Sequence, residues 1–463
     1  GVANWTPAAI AAAKDNLPTL FIAGQRERYF AQPVRRGHFH YTRQPRYFEE
    51  AMKFVGVIDH ADHVDDIFHE ALRQAFTGKP GPVYIEYPQD FAALTHTFGP
   101  LKQIPEYRLV QQQADNASLE AAVSLLESAE QPVLLVGNGV FVSRAQQVMN
   151  QLATTLQCPV ITTPGASSRL LDVLDITAAY ATPAANEAIA QADVVLAIGT
   201  EIGEPIHYGK GRHWNTGCTD RKWIYIERDA SAFGVNRSID VPLVGDLRDV
   251  VPQLHSLISE RSLPARFPER YSSLHKQAIE AVIAAAEIAP AGPPVHPAHM
   301  AVEISSVLPD NPVIIRDGGA ICLWHMMFSA TASSDIHWCQ NFGHLGTGIP
   351  HAIGAQLAVG DSRRVVVISG DSAFQFHISE LETAVRKNLP IVFIVGCDYA
   401  WGLEVKVYNV AFGDDAPYTE ARWGKQVRFD KIAEAYGAHG EYVERREDIA
   451  SAVERALASG MPA

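Results

Sequence analysis

Cysteine is scarce and scattered in this chain: Cys158, Cys218, Cys322, Cys339 and Cys397 are odd in number and show no CxxC spacing. Neither a disulfide framework nor a zinc cluster is indicated, and a reducing cytoplasm is the expected location. No apolar run is long enough to cross a bilayer, and the opening GVANWTPAAIAAAKDNLP lacks the basic stretch of a signal peptide. No membrane span is expected. Basic runs are also missing, and the formal net charge is −14, so a nucleic-acid backbone would be repelled. A small anionic ligand on such a chain needs a local positive device, such as a metal ion or a helix N-terminus.

What is present is an ordinary globular composition, 47% hydrophobic and 19% charged over 463 residues, which is too long for a single core. Short β-rich apolar runs alternate with helical periodicity, the pattern of parallel sheets covered by helices. The expected fold class is therefore α/β, with three doubly wound parallel-sheet domains. Their expected bounds are 1–100, 118–262 and 297–463, with the Pro/Ala-rich AEIAPAGPPVHP (Ala286 to Pro297) as linker. In the first, LPTLFIAG and GPVYIEYPQDF read as strands. Val64, Ile67, Phe68, Ala71, Leu72 and Ala75 between them mark an amphipathic helix. In the second, QPVLLVGNG, CPVITTPG, ADVVLAIGT and KWIYIERD read as strands of a Rossmann-like unit. Its GNG invites a dinucleotide reading, but Val142 stands where a third glycine would complete GxGxxG, and tight turns need glycine anyway.

The third stretch holds the chemistry. RVVVISGDSAFQFHISELETAVRKNLPIVFIVGCDYAWG places Asp371 and Asp398 each where a β-branched strand ends. Ile378, Leu381, Ala384 and Val385 mark a crossover helix that makes the two strands neighbours, so the acids meet at the ligand edge of a parallel sheet. Adjacent carboxylates raise each other's pKa unless a cation lies between them. Oxygen ligands point to Mg²⁺ or Ca²⁺, and Mg²⁺ shares its shell with phosphate. Capping and turn roles would explain either aspartate alone, and the pairing favours the metal.

Gly370-Asp371-Ser372 and Cys397-Asp398 resemble the cofactor motif of the thiamin diphosphate enzymes of the acetolactate synthase-like superfamily. Relatives by the same motif include 2-hydroxyacyl-CoA lyase, oxalyl-CoA decarboxylase and benzaldehyde lyase. The resemblance implies that Mg²⁺ is held by the side chains of Asp371 and Asp398 and the carbonyl of Ala400. It places Gly370, Ser372, Ala373, Gly402 and Leu403 around the diphosphate. Cys397 departs from the family's asparagine and reads as a small buried hydrophobe. NFGHLGTGIPHAIGAQLAVG resembles the family's glycine-rich turn, with Gly343 in that turn and Leu345 as the wedge that bends the cofactor. IIRDGGA resembles its first strand and loop, adding Gly318, Gly319 and Ala320. GKPGPVYIEYPQD looks like the end of the pyrimidine-binding domain, and IERDASAFGVNRSIDVPLVGDL looks like the central domain.

The family's activating glutamate lies before a G-P-G-x-x-N turn, and Gly1-Val2-Ala3-Asn4 falls inside that turn. No catalytic acid is therefore assigned: the expected glutamate lies upstream of Gly1, and Glu27, Glu49, Glu50 and Glu86 read as surface or turn residues. ASGMPA likewise stops where the family has a final strand, so a clipped chain is expected, with an inactive homologue second. His38, His40, His60 and His63 crowd the first domain, and His40, His344, Trp401 and Glu404 are the substrate-pocket candidates.

The implied activity is a carboligase, lyase or decarboxylase working beside a carbonyl, in a homodimer or homotetramer. FAD is possible on the central domain but not expected. The alternatives are a scaffold subunit without activity and a nicotinamide-dependent oxidoreductase using the central domain.

Overall fold

A computed structural model describes the chain apart from residues 32–35, 38, 101, 167–169, 212–213, 215–216, 219, 262–272, 330–334, 340, 414–419 and 424–425. His38 lies outside the described residues. Three sheets follow one another along the chain, and every strand pair in them is parallel. The first holds β1 (Leu20–Gln25), β2 (Phe54–Val57) and β3 (Val83–Pro88) in the order β1-β3-β2. The middle sheet holds β4 (Pro132–Val136), β5 (Val160–Thr162), β6 (Thr177–Ala179), β7 (Val194–Ile198), β8 (Lys222–Glu227) and β9 (Val241–Val244), ordered β6-β5-β4-β7-β8-β9. The last holds β10 (Val313–Arg316), β11 (Asp335–Trp338), β12 (Val365–Gly370) and β13 (Val392–Gly396), ordered β11-β10-β12-β13.

The central strands of the middle and last sheets read as unbroken apolar runs because core packs on both of their faces. Leu134, Leu135 and Val136 are fully buried, as are Val365 to Ile368. Leu134 and Leu135 point to opposite faces and enter two separate core clusters of the middle unit. In the first unit the helix Val64–Phe76 buries Ala71 and Ala75 against β3, as its periodicity predicts. Strand order reverses between β4 and β7 and between β10 and β12, so each sheet has a crevice at the carboxyl ends of those strands.

Four strands escaped the sequence reading. β6 has only three residues, β2 is half exposed along one face, β11 is the polar DIHW, and β9 contains Pro242. The helix expected after β12 is divided into Asp371–Gln375, a 3-10 turn at Ile378–Glu380 and Leu381–Arg386. The break falls at His377, whose Nδ1 lies 2.8 Å from the Gly346 carbonyl and ties this segment to the glycine-rich turn. Two further expectations need correction. Glu86 is neither a surface nor a turn residue: it belongs to β3 and is only 6% exposed, held by the Gln25 amide and the Tyr84 hydroxyl, each at 3.3 Å. Burial pushes its carboxyl above the ordinary range. Cys397 is exposed rather than buried, because it falls beyond the end of β13.

Candidate active site

The crevice between β10 and β12 gathers four separate segments. Register pairs Gly370 with Gly396, which sets the turns after β12 and β13 side by side. Asp371 is 1% exposed and accepts hydrogen bonds from the N–H of Ser372 at 2.7 Å and of Tyr399 at 2.8 Å. Tyr399 adopts a left-handed φ of 54°, which aims its N–H back at that carboxylate. Asp398 accepts from the Ala400 N–H at 3.1 Å. A bridge from Ala400 to Arg422 and a 2.8 Å bond from the Trp401 N–H to the Ala421 carbonyl brace the turn from behind.

Burial, reinforced by the neighbouring Asp398 charge, pushes the Asp371 carboxyl up to about 6 in spite of those two N–H donors. Asp398 is raised as well, chiefly by desolvation. A cation placed between them would reverse both shifts. Among the described residues no cluster of three or more His, Cys, Asp or Glu side chains is poised for a metal. Two carboxylates and a carbonyl suit an ion that keeps part of its shell for water and phosphate, as Mg²⁺ does.

The glycines let the two turns approach each other closely. A Cβ on Gly370 would lie 3.0 Å from the Gly318 carbonyl, and one on Gly319, at φ 97°, 3.0 Å from the Gly370 Cα. Side chains at these positions would drive the two turns apart. A Cβ on Gly402 would overlap the Asp398 carboxylate. Substituting Gly402→Ala is therefore expected to swing Asp398 out of place: Mg²⁺-dependent cofactor affinity should fall at least tenfold while the apo melting temperature stays within a few degrees. Calorimetric titration beside thermal melting checks both halves.

Leu345, the expected wedge, stands where a Cβ on Gly318 would strike it. Its turn is fixed by Asp317, which sequence reasoning missed. Asp317 is 2% exposed, accepts from the Gly346 N–H at 2.8 Å and takes a 3.3 Å bond from the Ser369 hydroxyl. Its signal was legible, an acid directly before Gly318-Gly319 at a strand end. Gly343 sits in the same turn at φ 65°, with His344 stacked on Phe342 at 5.4 Å. Ala320 opens the helix Ala320–Phe328, Ala373 is buried, and Leu403 is 38% exposed at the start of the helix Gly402–Phe412. Trp401 meets Phe376 edge-on at 6.0 Å, and Glu404 is exposed on the same helix. His40 stacks on Phe39 at 3.8 Å in the first unit, exposed and on a different element from the rest.

A second concavity of about 670 Å³ lies between the middle and last sheets, walled by Asn138, Thr200, Glu227, His337 and His351 among others. Gly139 of the GNG lies in its wall, yet the fold gives both glycines a packing role. A Cβ on Gly137 would overlap the Gly199 carbonyl, and one on Gly139 would lie 2.7 Å from the Gly199 Cα, so these glycines serve close packing. Burial holds His351 down at about 4 and lowers His337 too. The unfolded chain protonates such a histidine below about 6.5 while the folded one resists, so stability falls as pH drops from there toward 4. His351→Gln is expected to remove on the order of 1 kcal/mol of the decline between pH 7 and pH 5, measured by denaturant unfolding at the two pH values.

This geometry is matched by relatedness. Residues 119–254 match the family description "Thiamine pyrophosphate enzyme, central domain", and residues 317–463 match "Thiamine pyrophosphate enzyme, C-terminal TPP binding domain". The chain belongs to the thiamine pyrophosphate enzymes. Within that class it is acetolactate synthase-like. It is 28% identical over 420 residues to a probable acetolactate synthase large subunit of Methanococcus aeolicus, covering 85% of this chain and 68% of the relative. It is 25% identical over 414 residues to the acetolactate synthase isozyme 2 large subunit of Escherichia coli (88% and 71%). With the acetolactate synthase large subunit of Porphyra purpurea it shares 26% over 481 residues (99% and 77%).

Proposed function

We propose that this chain is a thiamin diphosphate- and Mg²⁺-dependent carboligase, lyase or decarboxylase. Its substrate would be a 2-oxo acid, 2-hydroxy ketone or 2-hydroxyacyl thioester, with the carbon–carbon bond beside the carbonyl made or broken. The observation that carries this reading is the pair of turns holding Asp371 and Asp398 across from Gly318-Gly319. Asp371, Asp398 and the Ala400 carbonyl would hold the metal. Gly318, Gly319, Ala320, Gly370, Ser372, Ala373, Gly402 and Leu403 would line the diphosphate, with Gly343 and Leu345 shaping the thiazolium end. When bound, the cofactor supplies an electron sink next to the carbonyl carbon. The protein's part is to hold the metal that would offset the diphosphate charge, fix the ring system and keep water out. Trp401, Glu404 and His344 would face the substrate, and His40 would come from the first unit of a partner copy.

The relatives' names favour carboligation of 2-oxo acids, while YAWGLEVKVYNVAFG leaves the donor to be found by screening. The domain bounds we propose are 1–100 for pyrimidine binding, 118–262 for the central unit and 297–463 for diphosphate binding. No flavin is required by this reading. The close packing of the GNG glycines lends the oxidoreductase alternative no support. All five cysteines are unpaired, which suits a reducing cytoplasm, and among the described residues no helix is long and apolar enough to cross a membrane.

A homodimer is supported by apolar side chains left uncovered on both halves of the proposed site. Val407 is 65% exposed, Val410 81% and Phe412 63%, all on the helix Gly402–Phe412, and Tyr29 and Phe39 are 67% and 69% exposed in the first unit. Single surface hydrophobes are common, but a row of them marks an interface. Val410→Glu is expected to shift the species seen by analytical ultracentrifugation from dimer toward monomer.

The functional reading is tested by titrating thiamin diphosphate with and without Mg²⁺ while following tryptophan fluorescence, since Trp401 adjoins the metal turn. Saturable quenching only with Mg²⁺ is expected. Equal quenching without any divalent ion, or none in a folded dimer, would remove the reading.

A further inference from the structure

Arg316, at the end of β10, is 5% exposed. Its side chain points to the face of the sheet opposite Asp317, whose carboxylate is engaged by Gly346 and Ser369. Among the described residues no carboxylate pairs with it. Among the described residues its hydrogen bond runs from Nε to His325 Nδ1 at 3.4 Å, and the other nearby group felt by its charge is the Cys322 thiol. A guanidinium offers five N–H donors, so four remain on the two terminal nitrogens. His325 is no competing cation, because complete burial holds it well below the usual histidine range, and its Nε2 is buried without a partner.

Arg316 lines a small, partly open cavity of about 70 Å³ between the middle and last units. The opposing wall brings Thr163 and Thr182 from the middle unit, and the near wall brings Ser329 and Met327. A buried charge without a counter-charge is costly, and the planar fork of arginine suits the two oxygens of a carboxylate or phosphate. The space holds a few waters or one such group.

We propose that this cavity is a binding site for a small oxyanion, a carboxylate or phosphate group, which completes Arg316 and pins the central unit to the diphosphate-binding unit. The site is separate from the crevice that gathers Asp371 and Asp398, and the inference does not depend on the cofactor reading.

The test is thermal melting of the full-length protein in its purified oligomeric form. Formate, acetate, inorganic phosphate and chloride are titrated at constant ionic strength against a buffer of bulky organic anions. A saturable rise in melting temperature with formate, acetate or phosphate is expected, and the stronger arm separates a carboxylate ligand from a phosphate one. In Arg316→Met the rise should vanish. In Arg316→Lys, which keeps the charge and loses the fork, the half-saturating concentration should rise at least fivefold, and this variant decides the matter if the methionine protein does not fold. Equal stabilisation of wild type and Arg316→Lys, an equal effect of chloride, or a response that never saturates would overturn the proposal.

Discussion

Replacing Asp371 by alanine or asparagine is expected to abolish Mg²⁺-dependent binding of thiamin diphosphate, with affinity falling on the order of 100-fold or more. Loss of groups that merely orient a metal ligand costs 10–100-fold, and Asp371 is read here as a ligand itself. The two substitutions should differ in stability. Alanine strands the buried N–H groups of Ser372 and Tyr399, which the carboxylate now satisfies at 2.7 and 2.8 Å, at about 1–3 kcal/mol for each unsatisfied group. Asparagine can still accept one of those bonds and removes a charge that burial already disfavours, since the carboxyl sits at about 6. At pH 8 the asparagine protein should therefore melt close to wild type yet fail to bind. Fluorescence titration beside a melting curve reads both quantities. Normal Mg²⁺-dependent affinity in Asp371→Asn would mean that the metal sits elsewhere.

Gly137→Ala is expected to lower stability by about 3 kcal/mol or more, seen as an earlier denaturant transition of the middle unit. Overpacking usually costs about 1–3 kcal/mol because side chains can rotate away. Here the obstacles are backbone: the Gly199 carbonyl, which the new Cβ would overlap, and the Thr200 Cα at 2.7 Å. Both lie in the turn after β7, and the Gly137 N–H is bonded to Ile198 in the same strand at 2.9 Å. Neither turn can retreat without breaking the β4–β7 pairing. A variant that melts like wild type would show that the crevice between these strands is softer than its packing implies, and would return the glycine to a ligand-binding role.

The sequence by itself determined most of the scaffold and the meeting of one pair of acids. Continuous β-branched runs such as VVVIS favour strands buried on both faces, and helical spacing such as Val64 to Ala75 has one apolar side. Their alternation leaves little choice but parallel sheets with crossovers. Once β12 and β13 are neighbours joined by one crossover, Asp371 and Asp398 must meet, because both stand at carboxyl ends.

Tertiary structure decided what depends on which segments approach each other from far along the chain. Asp317 reads as an ordinary acid until the fold sets it beneath Gly346, and Glu86 reads as a turn residue until the sheet closes over it with Gln25 and Tyr84. Gly137 and Gly139 looked like part of a nucleotide fingerprint, and only the proximity of Gly199 shows them to be packing glycines. Arg316 lies in a strand whose neighbours in sequence say nothing of a missing counter-charge. Pattern along the chain reports hydrophobic period and turn chemistry, which are local. Burial, pairing of charge and the cavity between two units are sums over residues that sequence separates by dozens to hundreds of positions, and those appear only when the chain is folded.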